Sequence, residues 1–248
     1  MEIQSVIKNR LNELIDKCAP YEGLFPQRTK LRLEKELEAG KGQYRFDLKQ
    51  ELYNNLSTFG LKRDDVIVPS AVGIMIAIGH SVNGTWVEKL YPFAPFNDGT
   101  NPSVHPVGFA NDGIRNLYNG NVQWTVGSTV AWEAYPMENF LKIPRQQGAF
   151  VLDSNDAAVQ EGIEPEFSIE ACLELLYTKY FIAGTQDHVM TVNFDAAGLT
   201  FPLADAGGVT TDYKARLVLY MDAFIIKNGT KMVDVSGNGP FKGAAWAI

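Results

Sequence analysis

Near the start of the chain, apolar residues recur at helical spacing. Ile3, Val6, Ile7, Leu11, Leu14, Ile15 and Cys18 follow the i, i+3, i+4, i+7 rule, with Glu2, Lys8, Arg10, Glu13, Asp16 and Lys17 assigned to the opposite face. The pattern predicts an amphipathic helix over 2–18 that Pro20 stops. Such a helix either packs on its own domain or serves, as residues 1–19, as an arm for a neighbouring subunit or a membrane surface. The mixed charge of its polar face argues against a dedicated binder of anionic lipid, which would be rich in Lys and Arg.

After Pro26 the period changes to two. Lys30-Leu31-Arg32-Leu33-Glu34-Lys35 alternates, as does Gln43-Tyr44-Arg45-Phe46-Asp47-Leu48, and Ala39-Gly40-Lys41-Gly42 lies between them. This predicts a hairpin with one wet face. Asn83-Gly84 splits the long apolar stretch 66–91, and an Asn-Gly pair between apolar runs is a strong hairpin signal, because both positions take positive φ. Asn119-Gly120 and Gly127-Ser128 mark further turns, and Asn228-Gly229 predicts a hairpin between 216–227 and 230–235. The segment 170–181 favours strand. Residues 92–113, rich in Pro, Asn and Gly, form a long loop of the kind that carries function or contact. The acidic stretch 153–166 is taken as a linker, and the Gly-rich end from Ser236 as a tail or inter-subunit arm. One helix beside many strands predicts a mainly β fold, a jelly roll or β-sandwich. The division is a helix over 1–19 and two tandem β domains, 20–150 and 151–248. A faint internal repeat points the same way: Asn83-Gly84-Thr85 recurs as Asn228-Gly229-Thr230.

Composition narrows the functions. The formal net charge is −7, so the chain is not built as a general nucleic-acid binder, which needs a basic surface. Lys30, Arg32 and Lys35 form the best local basic group, but acids interleave with them and a solvated surface is the simpler reading. The start of the chain lacks the apolar run of a secretory leader. Cys18 and Cys172 show no metal or redox spacing and point weakly to a reducing compartment.

The search for chemistry finds no constellation. His80, His105 and His188 are too scattered for a zinc helix or a cupin. There is no nucleophile elbow and no phosphate loop followed by a helix. The carboxylates single out no catalytic pair. The loop 97–101 lacks the ligand alternation of a calcium loop. The expectation is a non-catalytic protein with no cofactor and no metal. Trp86, Trp124 and Trp132 keep open an alternative, a carbohydrate-binding β-sandwich with tryptophans as a stacking platform.

Pro92-Phe93-Ala94-Pro95-Phe96, Leu117-Tyr118-Asn119-Gly120, and Tyr135-Pro136 through Phe140-Leu141-Lys142-Ile143-Pro144 resemble segments of bacteriophage virion proteins. In general form the chain is similar to the double jelly-roll major capsid proteins of tailless, membrane-containing phages, with a single roll carrying long insertions as the other architecture. The resemblance implies a self-assembling shell subunit, made in the host cytoplasm, forming trimers that tile an icosahedral virion. Its partners would be itself, neighbouring virion proteins and an internal membrane, without specific nucleic acid. Large buried interfaces would carry the function, supplied by Ile3, Val6, Ile7, Leu11, Leu14 and Ile15 of the helix and by Phe93, Phe96 and Phe109 of the long loop.

Overall fold

The computed structural model describes residues 2–53, 59–82, 84–91, 118–140, 173–194, 214–234, 241–242 and 245–246. In chain order the elements are α1 (Glu2–Cys18), β1 (Pro26–Glu36), β2 (Gln43–Asp47), α2 (Leu48–Tyr53), β3 (Val66–Val82), β4 (Thr85–Tyr91), β5 (Asn121–Val126), β6 (Thr129–Pro136), β7 (Glu174–Leu175), β8 (Lys179–Tyr180), β9 (Ile182–Ala183), β10 (His188–Asn193), β11 (Lys214–Ile226), β12 (Val233–Asp234), β13 (Phe241–Lys242) and β14 (Ala245–Trp246). The fold is mainly β, as its alternating segments predict.

The strands form two antiparallel sheets. The long sheet runs β1-β11-β3-β4, with β7 and β9 also on β3, and the short sheet runs β2-β10-β5-β6. Between them lies one core, in which Leu31, Leu33, Ile74, Ile76, Leu217 and Leu219 from the long sheet meet Tyr44, Phe46, Val122, Trp124, Met190 and Val192 from the short one. This is a sandwich in which inward residues alternate with outward ones.

The long sheet is buried on its outer face as well. Ile7, Leu14 and Cys18 of α1 pack with Val66, Val68, Phe224 and Ile226 over one end. Leu173 closes with Ala71, Met75, Ala77 and Val218 over the middle. Burial on both faces explains why β3 and β11 read as nearly continuous apolar runs.

Four expectations are corrected by the pairing. The alternating segments at 30–35 and 43–48 do not form a hairpin: β1 pairs with β11 and β2 with β10, so the chain crosses between sheets at Ala39–Gly42. Period two announces a strand with one apolar face, and that face is the same whether the neighbour is next in sequence or not. The boundary at residue 150 cuts both sheets, because β1 and β3 flank β11, and β2 and β5 flank β10. The described strands from the two halves therefore share one sandwich. The Asn-Gly pair at 228–229 does not return β11 as a hairpin. Asn228 takes φ 53°, but its N–H donates to the buried Asp65 carboxylate at 3.0 Å, and Thr230 N–H donates to Asp64 O at 3.1 Å. These bonds draw the chain into a 3-10 turn over Gly229–Met232. The supposed repeat thus joins two different turns. Last, the described parts of the C-terminal stretch pair within the chain, β13 with β12 and β14 with β8. The hairpins at 83–84 and 127–128 form as read, joining β3 to β4 and β5 to β6.

Candidate interaction surface

Structure divides the helix residues singled out for an interface. Ile7 and Leu14 are buried in the chain's own core, so they are not available to another subunit. Val6, Leu11 and Ile15 are half-exposed along the flanks of α1. The side chain of Ile3 and the whole of Phe93, Phe96 and Phe109 lie outside the described residues.

Arg10 corrects the helix reading most sharply, because it belongs to the buried face and not to the polar one. It stands one turn from each of Ile7 and Leu14 on their side of the helix, and its side chain reaches the irregular point of the long sheet. There the β3–β11 register shifts, with Ala71 opposite Asp222 and Pro69 opposite Ala223, so Ser70 is the extra residue of a bulge. Arg10 Nη1 donates to Pro69 O at 3.3 Å and Ser70 O at 3.4 Å, and Nη2 donates to Leu176 O. Burial holds its pKa below the usual guanidinium value, with Glu13 opposing that shift. The helix is therefore fastened by hydrogen bonds to three carbonyls as well as by its apolar stripe. The signal was present in the sequence as an arginine inside an apolar arc, but nothing local marks it as buried.

The titratable groups of the core have structural partners. His188, fully buried, receives the Gly127 N–H on Nδ1 at 3.2 Å. Its Nε2 lies against the Ala183 backbone, 3.1 Å from N and 3.2 Å from O. Desolvation pushes its pKa down to about 4, against the opposing pull of the Ala183 contact and Asp187. Asp65 takes N–H bonds from Lys62 and Asn228 and a 2.9 Å ion pair from Lys227. Burial alone would raise its pKa, but these donors hold it low. Among the described residues no three of His, Cys, Asp or Glu are grouped to hold a metal ion. Cys18 is free and buried.

The sugar-platform alternative loses its described residues. Trp124 is wholly buried. Trp132 meets it edge-on at 5.1 Å and stacks on Tyr135 at 4.6 Å, so both rings are spent on the inner side of the short sheet. The side chain of Trp86 lies outside the described residues.

Open surface is found elsewhere. The outer face of the short sheet is polar: Gln43 Nε2 donates to Asn193 Oδ1 at 2.8 Å, and Asn193 Nδ2 donates to Asn121 Oδ1 at 3.2 Å, a row of amides across β2, β10 and β5. Arg45, Thr191 and Gln123 form the next row. Beside it, the edge strand β6 exposes Val130 at 56%. Phe25 and Tyr177 are the other large apolar side chains exposed among the described residues. At the far edge of the long sheet, β1 presents Arg28, Lys30, Glu34 and Glu36 to solvent. No family model matches the chain, and no curated protein or solved structure matches it.

Proposed function

We propose that the protein is a non-catalytic shell subunit, a structural virion protein built on a single jelly roll. The observation that carries this reading is the nesting of strand pairs. β1 pairs with β11, β2 with β10, β3 with β7 and β9, and β5 with β6. Each pair encloses the next along the chain. A two-stranded ribbon with that nesting, folded over itself, places alternate pairs in opposite sheets, here β1-β11-β3-(β7, β9) and β2-β10-β5-β6. This strand order supports the reading as a jelly roll, with β4 as an added hairpin on β3. In this reading both halves of the chain build one roll, and the stretches 92–117 and 141–172 are its long insertions.

Jelly rolls serve as capsid, lectin and cupin scaffolds. The cupin use needs a histidine cluster, and His188 is instead engaged by backbone groups of its own fold. The lectin use expected of the tryptophans needs them exposed, and the two whose side chains are described, Trp124 and Trp132, are turned inward. Assembly is the use that needs neither. The subunit would form homotrimers that join into a closed shell, beside other virion proteins and against an internal membrane. Mass in solution by multi-angle light scattering, with negative-stain microscopy across a concentration series, tests the reading. Trimers that grow into curved or closed particles are expected, and a monomer at every concentration overturns it. Deleting residues 1–19 is not a clean probe, because it removes Ile7, Leu14 and Arg10 from the fold.

A further inference from the structure

We propose that β1 is a self-complementary edge, which pairs antiparallel with β1 of a second copy of this chain in the register centred on Leu33. Along its outer face the strand carries Arg28, Lys30 and Arg32, then Glu34 and Glu36, and Glu38 continues the alternation just beyond its end. The basic residues thus occupy one half and the acidic residues the other. Leu31, Leu33 and Leu37 point the opposite way, into the core. Among the described residues β1 pairs only with β11, and no described strand lies along its second edge.

Register decides the electrostatics. With Leu33 on the two-fold axis, Arg32 faces the partner's Glu34, Lys30 faces the partner's Glu36, and Arg28 faces the partner's Glu38. Moving the axis one residue towards the N-terminus sets Arg32 against itself, and one residue towards the C-terminus does the same to Glu34. Parallel pairing in register opposes like charges throughout. Charged edges ordinarily protect a sheet from adding strands. Sorting the charges by sign along one strand reverses that effect for a single antiparallel partner and keeps it for the rest.

The neighbouring strand extends the match. Lys30 lies opposite Asp222 and Glu36 opposite Arg216 on β11. Across the joined edge, one row would read Asp222, Lys30, the partner's Glu36, the partner's Arg216, alternating in sign. Arg28 already forms a two-point ion pair with Asp222, at 3.0 and 2.6 Å. Glu34 is held by Arg216 and Glu36 by Lys214, each at 2.9 Å. These contacts fix the side chains upright on the outer face before a partner arrives, which lowers the entropy cost of joining. On the inner side the two Leu33 side chains meet. Pairing of one strand buries little area, so the contact is weak and sensitive to salt. It is independent of the shell reading: in a shell it serves as a two-fold contact, and outside one it makes a dimer.

Sedimentation of the full chain tests it with two charge-reversed variants, Glu34→Lys with Glu36→Lys, and Lys30→Glu with Arg32→Glu. Wild type is expected to form a two-fold contact that weakens roughly tenfold or more between low and high salt. Each variant alone loses it, and an equimolar mixture regains it, because the reversed halves match one another. Circular dichroism checks that both variants fold. If either does not, mixing Lys30→Cys and Glu36→Cys copies under mild oxidation reads the register directly, since opposed residues lie at about 4.5–5.5 Å between Cα atoms. A 30–36 crosslink forming well ahead of 30–30 and 36–36 is expected. Equal crosslinking, self-association unmoved by the charge reversals, or a wild type that never self-associates at low salt overturns the proposal. Trimers or shells indifferent to the variants would overturn this edge and leave the shell reading standing.

Discussion

Both sheets contribute one face to the same core, but among the described residues only the long one is also covered from outside. Along β11, buried residues follow one another through Leu217, Val218 and Leu219, and again from Met221 to Phe224. Along β10 and β5, buried residues alternate with half-buried or exposed ones. The difference lies in what each outer face meets. Outside the long sheet stand α1 and Leu173, so an outward side chain there is desolvated and must be apolar or paired. Outside the short sheet nothing described intervenes, and amides and hydroxyls suffice. The exceptions on the covered face follow the rule: Asp222 is buried and paired by Arg28, and Arg10 is buried and spends its donors on carbonyls.

Equivalent substitutions on the two outer faces sharpen the contrast. Met75→Ala, outward on β3 and fully buried, is expected to cost about 2–5 kcal/mol in denaturant unfolding, as large-to-small core changes do. Gln123→Ala, outward on β5 and exposed, should stay within about 0.5 kcal/mol. Similar costs at the two sites would mean that the faces are not differently covered.

A step down in size is the pH response of His188, at the end of the shared core. Its folded pKa of about 4 lies below the 6.5 of a free imidazole. The folded state therefore resists a proton that the unfolded chain accepts. Its contribution is complete above pH 6.5 and is lost as pH falls from there to about 4, in total about 3 kcal/mol. His188→Gln retains an acceptor and a donor without titrating. Unfolding midpoints of the variant should fall less than those of wild type over that window, and parallel curves would remove His188 as the cause.

Arg10→Ala is expected to cost about 2–3 kcal/mol, since it strips the buried carbonyls at the bulge of donors and leaves space beneath α1. Hydrogen exchange should show the loss first in α1 and around residues 69–71, and not in the short sheet. Ser70→Ala tests the bulge at the smallest scale. Ser70 Oγ is buried without a hydrogen-bond partner among the described residues, so its removal should be neutral or slightly stabilising.

Much of this architecture is legible in local pattern. The spacing of Ile7, Leu14 and Cys18 determines α1. The alternation at 30–35 and 43–48 determines β1 and β2, and the turn pairs at 83–84 and 127–128 determine their hairpins, because each rests on contacts within a few residues. The short helix α2 escaped: Leu48–Tyr53 is too brief for a helical period to register. The order of opposite charges in β1 is likewise written in the sequence, although only its position at the edge of a sheet gives that order a use. Tertiary structure alone decided which strands pair. It set β1 beside β11 and β2 beside β10, turned Arg10 inward, drew Asn228 to Asp65, and spent Trp124 and Trp132 on the core. Those outcomes depend on which surfaces meet across long loops, and local periodicity records only that a residue has a face, not what that face will find.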